Sequence, residues 1–91
     1  LAGVRVRLVS LLREAVGGQQ ELELELGGDG ATLGEVLEKL FARHPRLRSL
    51  VEELERRGMQ VVYLVNGRSA SRDTRVGPGD EVVLLPPASG G

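Results

Sequence analysis

The sequence predicts an α+β fold in which a mixed sheet holds one principal helix. Three observations predict it. Glu21-Leu22-Glu23-Leu24-Glu25-Leu26 alternates with period two, Thr32-Leu33-Gly34-Glu35 opens an amphipathic helical run, and Glu81-Val82-Val83-Leu84-Leu85 reads as a last apolar strand. Each pattern matches one secondary-structure period and fits the other poorly.

The first element is Val4 to Val9, a half-buried strand with Val4, Val6 and Leu8 on one face and Arg5 and Arg7 on the other. Leu11 to Val16 has helical or turn-like character and stops at Gly17-Gly18. In the second strand the leucines point inward and the glutamates outward, because a helix would scatter those leucines around its circumference. If the two strands are neighbours, the Glu row faces Arg5 and Arg7 and helps fix the pairing. Gly27-Gly28-Asp29-Gly30 closes the strand.

Thr32 and Glu35 form a capping box, each satisfying an amide of the other at the helix start. Leu33, Val36, Leu37, Leu40 and Phe41 then recur on one face, and Glu35–Lys39 adds a favourable i,i+4 pair. Pro45 ends this helix at His44. Leu47, Leu50, Val51 and Leu54 mark a second, shorter helix, with Glu52–Arg56 and Glu53–Arg57 pairs and Gly58 as its stop. Gln60 to Val65 reads as a central strand, and Asn66-Gly67 is a hairpin turn followed by a short pairing near Ser69-Ala70. Val76-Gly77-Pro78-Gly79-Asp80 suits a type II turn, and Pro86 ends the last strand.

One amphipathic helix must bury its stripe against one sheet face, supplied by Val4, Val6, Leu8, Leu22, Leu24 and Leu26 with parts of the later strands. A crossover after the helix implies a late strand parallel to the first. This is a β-grasp arrangement, a mixed four- to five-stranded sheet on one main helix with a second short helix. Residues 1–85 form the domain and residues 86–91 an extended C-terminal tail.

Composition narrows the chemistry. The chain has 91 residues, enough for one domain, with 41% apolar and 27% charged residues. Its only Phe and Tyr are Phe41 and Tyr63, and it has no Trp, so Leu and Val must build the core. No cysteine is present, which excludes disulfides, thiolate metal ligands and thiol nucleophiles and fits a cytoplasmic protein. A net charge of -1, despite eleven Arg and one Lys, argues against non-specific nucleic-acid binding. No apolar stretch approaches a membrane span, and Leu1-Ala2-Gly3 carries no signal-like pattern.

Few side chains suggest catalysis. His44, the lone histidine, sits at a helix end without a co-ligand. The Glu21, Glu23, Glu25 row is best read as a solvated sheet face. The Gly27–Gly30 loop lacks the Lys-Ser/Thr or Rossmann spacing of phosphate-binding loops. Arg13, Arg68, Arg72 and Arg75 are surface residues that suit docking or solubility equally.

The end of the chain is different. Pro86-Pro87-Ala88-Ser89-Gly90-Gly91 leaves an anchored strand as a stiff, then very thin, stem. A narrow tunnel in a partner can admit Gly90 and Gly91. Attack by the Gly91 carboxylate on the α-phosphate of ATP gives an acyl-adenylate, which a sulfur or an amine nucleophile can open.

Leu12-Arg13-Glu14, Thr32-Leu33-Gly34-Glu35-Val36-Leu37, Val65-Asn66-Gly67, Gly79-Asp80-Glu81-Val82 and Pro86-Pro87-Ala88-Ser89-Gly90-Gly91 occur in this order. Together they resemble the MoaD-type branch of the ubiquitin-like sulfur carriers, from about Val4 to Gly91. That resemblance implies a ubiquitin-like β-grasp carrier that is not catalytic alone, the small subunit of molybdopterin synthase. Its implied partners are an E1-like adenylating enzyme using ATP and magnesium, a sulfur-donor protein and the large synthase subunit, with no stably bound cofactor or metal. Gly91 would carry the thiocarboxylate on a Gly90 stem, Pro86, Pro87, Ala88 and Ser89 would position the tail, and Leu84, Leu85 and Arg68 would contribute to docking. Leu8-Val9 departs from the aromatic residue common at that position. Related roles are sulfur carriage for thiamine, cysteine or transfer-RNA thiolation, a protein modifier, or a non-catalytic interaction module.

Overall fold

The computed structural model describes residues 3–87. Its first strand, β1 (Gly3–Leu8), buries Val4, Val6 and Leu8 and exposes Arg5 and Arg7, as the alternation predicts. A four-residue helix, α1 (Leu11–Glu14), sinks Leu12 into the core before the chain returns as β2 (Glu21–Glu25). The two strands pair antiparallel, with Val4 opposite Leu24 and Arg5 opposite Glu23. Leu24 and Leu26 are buried, but Leu22 is only half-buried because β2 is an edge strand.

A two-residue strand, β3 (Ala31–Thr32), leads into α2 (Leu33–Arg43), whose capping box is fully formed. The Thr32 amide donates to Glu35 Oε1 at 2.8 Å and the Glu35 amide donates to Thr32 Oγ1 at 3.2 Å. Both bonds serve the orphan amides of a helix start. All five predicted stripe residues of α2 are buried. His44 ends α2, and Pro45 opens α3 (Pro45–Arg56) at the one helical position that needs no amide. The expectation of a short second helix is corrected: α3 has 12 residues against 11 in α2. Proline here separates two helices by starting the second.

The remaining strands are β4 (Val62–Val65), β5 (Arg68–Ser69), β6 (Arg75–Val76) and β7 (Glu81–Leu85). The main sheet runs β2-β1-β7-β4-β5, with β1 and β7 parallel and the other pairs antiparallel. This is the predicted β-grasp fold. The middle strand is β7, so the reading of Gln60–Val65 as central is corrected to a penultimate position. The β3–β6 pair makes a second small sheet that no sequence pattern announces.

Two turns hold the frame. Asn66 (φ 50) and Gly67 (φ 82) both lie in the left-handed region, as the two-residue β4–β5 hairpin requires. Gly30 has φ 101, and a Cβ there would lie 2.6 Å from the Val76 carbonyl oxygen. Glycine thus permits the close approach that seats β6 against β3.

Surface charges pair differently from expectation. Among the described residues, Arg7 forms its ion pair with Glu81 at 3.8 Å, although Glu21 lies opposite it in register. Glu35 turns back to its cap, so Lys39 donates instead to the Glu25 carbonyl at 2.6 Å, tying α2 to β2. Glu52 meets Arg48 at 4.0 Å, and Arg56 joins Arg57 on Glu53. Exposed pairs exchange partners readily because each is worth under about 1 kcal/mol.

Candidate functional site

The candidate site is strand β7 together with the Pro86-Pro87 segment that follows it. Strand β7 has β1 on one side and β4 on the other, so its backbone is held across both edges. Val82 and Leu84 point into the core, whereas Glu81, Val83 and Leu85 face outward and are half-buried. Pro86 and Pro87 follow directly. The expected tail residues Ala88, Ser89, Gly90 and Gly91 lie outside the described residues.

The start of β7 is fixed by two sequence motifs that lock together. Pro78 and Gly79 occupy the corners of a turn closed by the Asp80 amide donating to the Gly77 carbonyl at 3.1 Å, with Gly79 at φ 86. This is the predicted type II turn. Asp80 Oδ2 accepts from the Gly77 amide at 2.8 Å, and its Oδ1 accepts from Asn66 Nδ2 at 3.0 Å. These bonds, the Gly77 amide first, hold the Asp80 carboxyl below the usual carboxylate range. Asn66 Oδ1 accepts from the Glu81 amide at 2.9 Å, and the Gly79 amide donates to the Gly3 carbonyl at 2.8 Å. The loop therefore sets the register of β7 against β1 and β4, and with it the position of Pro86 and Pro87.

The outer sheet face is divided. Arg5, Arg7 and the Glu21, Glu23, Glu25 row make its β1–β2 half polar. On the other half, Val62 stands opposite Leu85 and Leu64 opposite Val83, which joins four apolar side chains into one strip. Val62 is 40% exposed. Sequence reading missed this strip. The sequence reads β4 as a strand covered on one face by the helix, and the structure leaves its other face open to solvent at Val62.

The three predicted docking residues separate. Leu85 lies in the strip. Leu84 is fully buried and pairs in register with Leu8 and Tyr63 on the inner face, so its expected place in an exposed patch is corrected. Arg68 is exposed but stands opposite Val65, on the other side of the sheet from Leu85. Strand alternation is the reason, since adjacent residues of β7 must face opposite ways.

Among the described residues there is no group of three His, Asp or Glu side chains able to hold a metal ion. No helix there is long and apolar enough to cross a membrane.

The chain matches the model of the ThiS family over residues 6–91. It belongs to the ThiS family. It is 36% identical over 78 residues to small archaeal modifier protein 1 of Haloferax volcanii, covering 84% of this chain and 87% of the relative. The crystal structure of SAMP1 from that organism superposes with a TM-score of 0.80 at 33% identity, covering 98% of this chain and 99% of the other. A putative molybdopterin converting factor, subunit 1, from Pyrococcus furiosus gives 0.73 at 27% identity, covering 97% and 100%.

Proposed function

We propose that this ThiS-family chain works through its C-terminal carboxylate as a sulfur carrier and protein modifier. The observation that carries the reading is that the anchored middle strand β7 runs directly into Pro86-Pro87 and a Gly-Gly end. Among the described residues, no group of three His, Asp or Glu side chains competes with that end. The domain's role is to be recognised and to deliver Gly91.

The chemistry follows from the group available. An adenylating partner supplies ATP and magnesium, and a Gly91 carboxylate oxygen attacks the α-phosphate with loss of pyrophosphate. The acyl-adenylate is then opened with release of AMP. Hydrosulfide-level sulfur gives a thiocarboxylate, and a lysine amine gives an amide. Gly90 and Gly91 suit a narrow channel because a side chain there would obstruct the in-line approach. Pro86 and Pro87 set the stem, while Ala88 and Ser89 keep it thin. The outer strip of Val62, Leu64, Val83 and Leu85 supports docking beside the stem, since it is apolar, contiguous and partly open.

The likeness to small archaeal modifier protein 1 favours the modifier branch of this chemistry. A second reading, the small subunit of molybdopterin synthase with a large subunit as sulfur acceptor, is favoured by the Pyrococcus furiosus relative. Intact-mass analysis after incubation with a cognate adenylating enzyme, ATP, magnesium and a sulfur source tests the shared step. An oxygen-for-sulfur exchange at Gly91 supports it, and an unmodified chain overturns it. Proteomics of cell extracts separates the branches, because modification leaves Gly91 joined to lysines of other proteins, whereas pure sulfur carriage leaves none.

A further inference from the structure

Strand β4 is covered along only part of the edge that faces β5. The Ala70 amide donates to the Tyr63 carbonyl at 3.0 Å, which extends the β4–β5 pairing by one residue. The chain then turns away. The Ser71 amide donates to Thr74 Oγ1 at 3.0 Å, and the Thr74 amide donates to the Ser71 carbonyl at 3.1 Å. Backbone polar groups of a strand repeat with period two, so the amide and carbonyl of Val61 aim to the same side as those of Tyr63. Among the described residues, neither group of Val61 has a backbone partner.

A cavity of about 430 Å³ opens at this uncovered stretch, between β4 and the end of α3. Its volume is that of a small-ligand site. Val61 and Ala70 give it apolar walls, and Glu55 and Arg72 give it opposite charges. Those two side chains are exposed and do not meet each other within 4.0 Å. The Tyr63 hydroxyl is buried and, among the described residues, makes no hydrogen bond. Both charges act on it: burial first and then Glu55 push its pKa up, and Arg72 opposes them. An occupant that suits the cavity therefore accepts from Tyr63 and Arg72 and donates to Glu55. A bare anion is opposed by Glu55 and a bare cation by Arg72. A neutral carboxamide carries the acceptor and the donor together.

We propose that a partner protein adds an extended segment to β4 beside Val61 and turns a glutamine or asparagine side chain into this cavity. The segment's main chain bonds to the free amide and carbonyl of Val61, which supplies affinity, and the cavity selects the side chain. The carboxamide oxygen accepts from the Tyr63 hydroxyl and the Arg72 guanidinium, and its NH2 group donates to the Glu55 carboxylate. Val61 is buried and Tyr63 stands opposite buried Leu84, so the cavity lies on the inner face of β4. The strip of Val62, Leu64, Val83 and Leu85 lies on the outer face. The two surfaces are separate, and the inference goes beyond the carrier and modifier reading without resting on it.

NMR titration of the isotope-labelled full chain tests the proposal. The probe is a capped pentapeptide with a central glutamine, a valine on each side and threonine ends, added to about 1 mM. Amide shifts at Val61, Tyr63 and Arg72 are expected, with hydrogen exchange at the Val61 amide slowed several-fold. Peptides with leucine or glutamate in the central place should bind several-fold more weakly. Tyr63→Phe should erase the preference for glutamine over leucine. It should also leave the unfolding midpoint of the free chain unchanged or higher, because the hydroxyl it removes has no partner. Absence of shifts at the three positions overturns the proposal, as does an equal response to the three peptides or a response confined to the outer strip. An undiminished glutamine preference in Tyr63→Phe overturns it too. Dimerisation of the free chain in sedimentation, with Val61 shifting as the concentration rises, assigns the edge to a second copy and overturns the partner.

Discussion

Asn66 Nδ2 donates to Asp80 Oδ1 at 3.0 Å while Asn66 Oδ1 accepts from the Glu81 amide at 2.9 Å. One side chain in the β4–β5 turn thus grips the turn that starts β7. Two motifs 14 residues apart form a single clasp at the head of strand β7. Asn66→Ala should cost about 1–2 kcal/mol, since both bonds are lost and the left-handed backbone at Asn66 becomes less favourable. Urea denaturation measures this, and an unchanged midpoint would show that the clasp is not stabilising.

The clasp carries a pH signature. The folded Asp80 carboxyl titrates below its unfolded value, so its stabilisation is present above the unfolded pKa, near about 4. That stabilisation is lost as pH falls through the folded pKa. Glu35, held by the Thr32 amide and hydroxyl, and Glu53, held by Arg57 and then Arg56, shift in the same direction. The urea midpoint should therefore fall between about pH 5 and pH 2. Asp80→Asn should flatten the fall in part, leaving the contribution of the two glutamates. An identical slope in the variant would remove Asp80 from the account.

Glycines with similar dihedrals should respond unequally to substitution. Gly30→Ala forces a Cβ to within 2.6 Å of the Val76 carbonyl oxygen and also strains a φ of 101. Gly17→Ala strains a φ of 73 but meets nothing within 4 Å. The expected losses are about 3 kcal/mol and about 1 kcal/mol respectively. Thermal unfolding of the two variants checks the ranking, and equal losses would show that the β3–β6 approach is easily relaxed.

Adjacent leucines of β7 should separate stability from docking. Leu84→Ala opens a cavity in the core and should cost about 2–5 kcal/mol. Leu85→Ala trims the outer strip and should change stability by less than about 1 kcal/mol. On the proposed function, Leu85→Ala should instead weaken binding to an adenylating partner, measured by calorimetry. Unchanged affinity for Leu85→Ala together with Val62→Ala would discard the strip as a docking surface.

Most of the frame was legible because each element obeys a local rule. The Val4–Leu8 alternation, the Thr32–Glu35 capping box, the Asn66-Gly67 hairpin and the Pro78-Gly79 turn depend on neighbours within a few residues. The chemical end, Pro86-Pro87 to Gly90-Gly91, is read from the sequence motif alone, and its role stands as the proposal above. The docking assignments fared differently. Leu84 and Leu85 are equally apolar in sequence, and only the pleat of β7 against its two neighbours decides which one reaches solvent.

The sequence by itself determined the types of the long elements and the β-grasp order, because these follow from hydrophobic period, capping and turn chemistry. Only the tertiary structure decided that β7 is the middle strand and that α3 is a full second helix. It likewise decided that Asn66 reaches Asp80 and that an apolar strip runs from Val62 to Leu85. These are relations between residues far apart along the chain. They depend on strand order and register, which a local pattern constrains but does not contain.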